Sequence, residues 1–596
     1  MPTHHNRLGI ILFAALCVAC VSSSQAQNAK LDAFFDELAA EWVARDPDLA
    51  TGTRYFSGPQ QQALERQTTP QTRRWQTERV ELAKRGIRSL DDFDRASMTE
   101  TQRLSADLMR WQLNAVVGSE PFWDYYFPLD QFSGANVYLI DNLSVRHPLA
   151  VAQDADNYLA RLEQLDARMD EVIDEARRLA GKNMIPPRFI IEATLKQMRD
   201  FTAMPAAQSP LVTALTQRLP APAVSATDRT TLTSRATRIV EREVYPAWQR
   251  AIALLESLLP KSTQDAGLWR FAGGDAAYAN ALHRYTSTRM TAEQIHETGL
   301  QQVARIEAQM ETILRSLGRT QGTVRERLNQ LDIDLRYPDP ESEAARTALM
   351  RDIDAMMADA LERSAALFAE MPKTAVIARP YPRFREASAA ASYTRAPFDG
   401  SRPAVFQMPL RVQRMTKFGL RTLVYHETVP GHHFQNGLEQ ENPELPRFRQ
   451  ARALGGISAL SEGWALYSER LAAENGWYDG DPEGLLGQLD AELFRARRLV
   501  VDTGLHAKRW TRQQAIDYGI EASEIERYVV MPGQATSYMV GQLKLIELRD
   551  RARRELGDKF SFKAFHSAVL GAGTIPLELL EKVVDAHIAS MKANQT

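Results

Sequence analysis

The sequence predicts a mainly α-helical protein with one small β-sheet beside its reactive residues. Three observations carry this expectation. Long stretches place apolar side chains at i, i+3 and i+4, as Leu159, Leu162, Leu165, Met169 and Ile173 do. Proline and glycine collect in few places, chiefly Pro205 to Pro222 and Ala272 to Asp275, which read as loops between helices. One region, Thr374 to Val412, departs from the helical period. There Ala375-Val376-Ile377-Ala378, Ala391-Ser392-Tyr393-Thr394 and Ala404-Val405-Phe406-Gln407 are short strand candidates, separated by Pro380, Pro382 and Asp399-Gly400.

In chain order, the first residues read as an export signal. Arg7 supplies the positive region, Leu8 to Val21 is an apolar run too short to remain as a membrane span, and Ser24-Gln25-Ala26 offers a cleavage site. Leu16-Cys17-Val18-Ala19-Cys20 loosely resembles a lipoprotein cleavage box, so a lipid anchor at Cys20 is the alternative to cleavage after Ala26. Both cysteines fall in this segment. A mature chain of residues 27–596 therefore has no disulfide, no thiolate metal ligand and no cysteine nucleophile. The remainder is expected to form one large helical domain, with an N-terminal lobe at 27–270 and the reactive residues in a lobe at 271–596. No repeat and no second apolar segment of membrane-spanning length follows.

Composition narrows the function classes. The 596 residues carry 72 Lys+Arg against 75 Asp+Glu, with both signs interspersed, and 44% are hydrophobic. No basic stripe marks a nucleic-acid or membrane partner. Phosphate-binding glycine loops and the G-x-S-x-G elbow are likewise missing from the sequence.

The reactive segment is Tyr425-His426-Glu427-Thr428-Val429-Pro430-Gly431-His432-His433-Phe434-Gln435. In H-E-x-x-H metallopeptidases, two histidines one helical turn apart bind zinc, and the glutamate polarises the attacking water. Here the residue four after His426 is Pro430, which binds no metal. On a regular helix His432 is turned about 240° away from His426, and His433 lies about 10.5 Å along the axis. Pro430-Gly431 supplies the means of distortion. If two residues bulge from the helix, His432 becomes the second ligand; a wider bulge selects His433, and the smaller distortion favours His432. Glu462, thirty residues on in a helical segment, completes a His₂Glu set open to water, with Glu469 as the alternative two turns further along.

These residues, with Glu462-Gly463-Trp464-Ala465, Asp502-Thr503-Gly504-Leu505-His506, Pro532-Gly533-Gln534-Ala535 and Gly541-Gln542-Leu543-Lys544, resemble the bacterial family called domain of unknown function 885. Its members are mostly exported proteins or lipoproteins. The order of motif and Glu-bearing helix is more distantly similar to gluzincins such as angiotensin-converting enzyme, oligopeptidases and thermostable carboxypeptidases. The resemblance implies a two-lobed helical shell around a deep cleft that holds one zinc ion per chain. It also implies that a tyrosine of a late helix, Tyr538, stabilises the oxyanion.

The remaining candidates have weaker expected roles. Asp502 and His506, at i and i+4, are read as a pair that orients an imidazole or touches substrate, with a structural ion pair as the alternative. Gln534 and Lys544 are candidates for a substrate carboxylate, and Arg402 for the same role on the sheet. The strand region Ala391 to Phe406, which includes Tyr393, is expected to pair with an extended peptide. The expectation is an exported zinc peptidase in which Glu427 is the general base. The alternatives are a zinc hydrolase of a non-peptide amide and a non-catalytic periplasmic binding protein.

Overall fold

A computed structural model describes residues 27–220, 223–381, 383–386, 390–396, 398, 400 and 402–593. The expected leader with Cys17 and Cys20, Pro382, and Asp399 of the expected turn lie outside the described residues. The described chain is mainly α-helical, and its one sheet has three strands. No helix among the described residues is long and apolar enough to cross a membrane.

The helices that frame the site are α1 (27–44), α2 (Arg73–Asp91), α3 (Glu100–Ser119), α4 (Gly274–Thr286), α5 (Ala292–Ser316) and α6 (Glu343–Ser364). After the sheet come α7 (Leu420–Glu427), α8 (His432–Glu441), α9 (Ser458–Glu474), α10 (Pro482–His506) and α11 (Ser537–Leu556). Local sequence sets several starts. Asp481 caps α10 by accepting from Gly484 N at 2.9 Å, with Pro482 at the first helical position, where its missing N–H costs nothing.

Two cores hold most of the chain. The larger joins α1, α2 and α3 to the helices after residue 268, through contacts such as Phe35 on Phe448 at 5.4 Å between rings. The smaller is built within residues 129–258, around Tyr158, Trp248 and Leu159. The boundary expected at residue 270 thus cuts across a core: 27–119 pack with the C-terminal half. The stretch Pro205 to Pro222, expected to be loop, contains the helix Pro210–Arg218. Pro210 stands at its first position behind the Ser209 cap, and its apolar face buries Leu211, Val212 and Leu215. Around Ala272 to Asp275 the loop is confined to residues before Gly274, where α4 begins.

The sheet follows the expected segments closely. β1 (Val376–Pro380), β2 (Ser392–Thr394) and β3 (Ala404–Met408) take the order β1-β3-β2, parallel between β1 and β3 and antiparallel between β2 and β3. β3 buries Ala404, Phe406 and Met408 and turns Val405 and Gln407 outward, the period of two that one covered face requires. β2 is therefore an edge strand, and Tyr393 at its centre reaches the histidine segment.

Candidate metal centre

The Pro-Gly insert breaks the helix instead of bulging from it. α7 ends at Glu427, and Thr428 leaves helical geometry at φ −117°, ψ −103° while its hydroxyl bonds Val424 O at 2.6 Å. Pro430 has no N–H to continue the ladder. At Gly431 a Cβ would stand 2.0 Å from His426 O and 2.3 Å from Tyr425 O, so only glycine lets the chain fold back onto the end of α7. α8 then starts at His432. Trp464 of α9 pins the turn by donating Nε1–H to Pro430 O at 2.9 Å.

This reversal brings His432 beside His426, with ring centroids 4.8 Å apart and planes at 85°. Glu462 completes the group. Its Oε2 lies 3.7 Å from His426 Nε2 and 3.4 Å from His432 Nε2, and one ligand atom from each of the three lies within 4.8 Å of the others. Zinc bonds of about 2.0–2.2 Å at tetrahedral angles put neighbouring ligand atoms roughly 3.3–3.5 Å apart, close to both of these separations. The donor set thus has the spacing and chemistry of a His₂Glu metal site.

Charge and hydrogen bonding support the same grouping. His426 donates Nδ1–H to Glu469 Oε1 at 2.6 Å, which leaves the Nε2 lone pair facing Glu462. Burial opposes protonation of this ring, but Glu462 and Glu469 outweigh it and push His426 up to about 9. Burial would raise the Glu462 carboxyl, yet the two imidazoles hold it well below the carboxylate range. A cluster of lone pairs gathered around one point is costly unless a cation or protons occupy it. Glu427, 8% exposed, has neither hydrogen bond nor ion pair among the described residues.

The other expected residues separate into those at the centre and those away from it. His433 turns away from the donor group: Nε2 donates to Thr374 O at 3.0 Å and Nδ1 meets Tyr393 Oη at 3.2 Å. Burial pushes this ring down to about 4, so it is a neutral positioning group. Of the two histidines left open by the sequence, His432 joins the donor set. Tyr393 also lies over His432, with centroids 6.5 Å apart, so the edge strand borders the centre. Burial pushes its phenol up to about 12.

Tyr538 opens α11 one turn before Gly541. There α11 crosses α9 so closely that a Cβ on Gly463 would meet Gly541 Cα at 2.5 Å, immediately after Glu462. The Arg498 guanidinium lies 4.6 Å from the Tyr538 ring centroid. Gln534 accepts from Arg527 at 3.2 Å and donates to Ser458 Oγ at 3.4 Å, and Ser458, the first residue of α9, meets Ser537 Oγ at 2.8 Å.

Three expectations are corrected. Asp502 and His506 do not pair with each other. Asp502 accepts from Tyr278 Oη at 2.6 Å and Gly533 N at 3.0 Å, and burial pushes it up to about 7. His506 accepts from Leu268 N at 3.2 Å through Nδ1, donates to Tyr528 O at 3.0 Å, and stacks on Tyr278 at 4.9 Å. Burial pushes it down to about 4. Both therefore tie distant segments together, and their polar atoms are already used. Lys544 is engaged by Glu547 at 3.0 Å and Glu581 at 3.1 Å, and so is matched within the protein. Arg402, exposed, donates to Pro403 O at 3.2 Å, a bond that does not conflict with the role expected of it. Glu469, weighed as a ligand, instead holds His426. Its position seven residues after Glu462, on the same helical face, was the available signal.

Comparison with known proteins follows the same lines. A crystal structure described as "the putative lipoprotein from Colwellia psychrerythraea" superposes with a TM-score of 0.87 at 30% identity, covering 95% of this chain and 99% of that one. A second, "a putative lipoprotein of unknown function from Shewanella oneidensis", has a TM-score of 0.68 at 18% identity over 93% of this chain and 99% of that one, and shows a shared fold. No curated protein matches the chain. The model of the family described as "Bacterial protein of unknown function (DUF885)" matches residues 47–584, and the chain belongs to that family.

Proposed function

We propose that the protein is an exported zinc-dependent peptidase acting on short peptides, distantly akin to the gluzincins. One observation carries the reading. The donor atoms of His426, His432 and Glu462 lie within 4.8 Å of one another, and the first histidine is directly followed by a buried glutamate whose side chain has no hydrogen bond or ion pair among the described residues. Zinc bound by these three residues supplies a Lewis acid that lowers the pKa of water and polarises a carbonyl. Glu427 takes a proton from the attacking water as its oxygen bonds to the scissile carbon, then delivers that proton to the departing nitrogen as the C–N bond breaks. Tyr538 is assigned to the developing oxyanion. The free edge of β2, beside His432, offers backbone pairing to an extended substrate. Export agrees with the leader-like N-terminus and with the lipoprotein descriptions of both similar structures; lipid attachment at Cys20 belongs to the same proposal.

The test is a mixed peptide library incubated with zinc-loaded mature protein. Cleavage that a chelator stops and zinc restores is expected, and its pattern reports the endo-, carboxy- or dipeptidyl mode. Absence of cleavage would count against the peptidase. Glu469→Gln is expected to weaken zinc binding about 10- to 100-fold by loosening the His426 ring. Competition with a chromogenic chelator measures this, and unchanged affinity would remove the orienting role of Glu469.

A further inference from the structure

A cavity of about 620 Å³ runs along α4, and none of the metal donors lines it. One wall is built by Asp275, Tyr278, Ala279, Leu282 and His283. These stand at i, i+3, i+4, i+7 and i+8, so they form one continuous stripe on a single face of the helix. Eight residues of helix advance about 12 Å, which makes the cavity an elongated furrow. Across from the stripe the lining is again apolar, with Met290, Ala292 and Ala507. Tyr278 and Leu282 are buried, and Tyr278 is held by its stack on His506 at 4.9 Å and its bond to Asp502 at 2.6 Å. The floor is therefore preformed, and its volume is that of a small-molecule site, roughly 300–1,000 Å³.

The two ends of the furrow carry opposite charges. Asp275 marks one end. It stands in the first turn of α4 but caps nothing, since Gly273 is the cap residue, and its carboxylate has neither hydrogen bond nor ion pair among the described residues. Arg289 marks the other end. His283, the last of the stripe, meets Thr288 O through Nδ1 at 3.0 Å, which fixes Arg289, the next residue, at that end. The Arg289 guanidinium has no hydrogen bond, ion pair or ring contact among the described residues. An apolar floor between a carboxylate and a guanidinium is the complement of a zwitterion with an apolar middle. An extended peptide advances about 3.4 Å per residue, so about three or four residues with both termini free span the furrow. A single amino acid is too short to reach both charges.

We propose that this furrow is a binding site, separate from the metal centre, for a peptide of about three or four residues. Its amino group lies at Asp275, its carboxylate at Arg289, and its apolar side chains on Tyr278 and Leu282. The site stands whether or not the protein cuts, although its ligand belongs to the class of molecule that the peptidase reading takes as substrate or product.

The test is calorimetry of zinc-loaded Glu427→Gln protein with the tetrapeptide Leu-Ala-Ala-Leu, its N-acetylated form, its C-amidated form, and free leucine. The free tetrapeptide is expected to show a binding event that acetylation weakens about fivefold or more, and amidation by a similar factor. Asp275→Asn should erase the acetylation effect alone, and Arg289→Gln the amidation effect alone. Both side chains are exposed, so neither change disturbs the core. Ala279→Trp, also at an exposed position, fills the middle of the furrow and should remove the event. Indifference to both caps, cap effects that survive the matching substitutions, or free leucine bound as tightly as the tetrapeptide would overturn the proposal. So would the absence of any event. The two readings fail separately: a protein that cuts peptides but shows no event dependent on Asp275 and Arg289 lacks this site alone, whereas one that shows that event and cuts nothing lacks the hydrolysis alone.

Discussion

Glu427→Gln is expected to lower kcat about 10³-fold or more while leaving the zinc content unchanged. The amide has the volume and shape of the carboxylate, so the buried end of α7 keeps its packing, but it cannot accept the proton of the attacking water. General-base groups contribute about 10²–10⁴-fold. The proposed role follows from its position after His426, its burial and the absence of a side-chain partner among the described residues. Initial rates on library-derived peptides, with metal analysis of the same samples, check this. A rate within about tenfold of the parent at full zinc content would assign the base to another group.

The second large effect separates neighbouring histidines. His432→Ala removes one of three protein donors and is expected to weaken zinc binding more than 100-fold, beyond the 10- to 100-fold typical of outer contacts. His433→Ala should leave zinc affinity near the parent value. It deletes the bonds to Thr374 O and Tyr393 Oη, each worth about 1 kcal/mol, so its cost appears in thermal stability. The two variants, titrated against a competing chelator, give opposite patterns. Loss of zinc in His433→Ala with retention in His432→Ala would invert the ligand set.

Much of this was legible because it is local. The strands announced themselves through Val376-Ile377 and Val405-Phe406 between proline and Asp-Gly punctuation, and all three formed within a residue or two of expectation. Glu462 was legible because a helical period surrounds it. The exit from α7 was legible only in part. Pro430-Gly431 signals a distortion, but whether it bulges or breaks the helix depends on Gly431 lying against Tyr425 O and His426 O and on Trp464 bonding Pro430 O. Those contacts are tertiary.

Distance along the chain explains the errors. Asp502 and His506 have the spacing of a helical pair, yet Tyr278, Gly533, Leu268 and Tyr528 claim their polar atoms first. Lys544 lay in a family-like segment, but Glu581 of the last helix reaches it. Pro210 reads as a breaker in one dimension and serves as a helix start in three. The larger core crosses the division drawn at residue 270 for a similar reason. α1 to α3 carry no local sign that their apolar faces belong with helices more than 150 residues later.

The most direct test of the account is the metal content of mature protein purified without added chelator. About one zinc per chain in the wild type, falling to near zero in His432→Ala, is the predicted result. Less than about a tenth of an equivalent in the wild type after exposure to excess zinc would contradict the account.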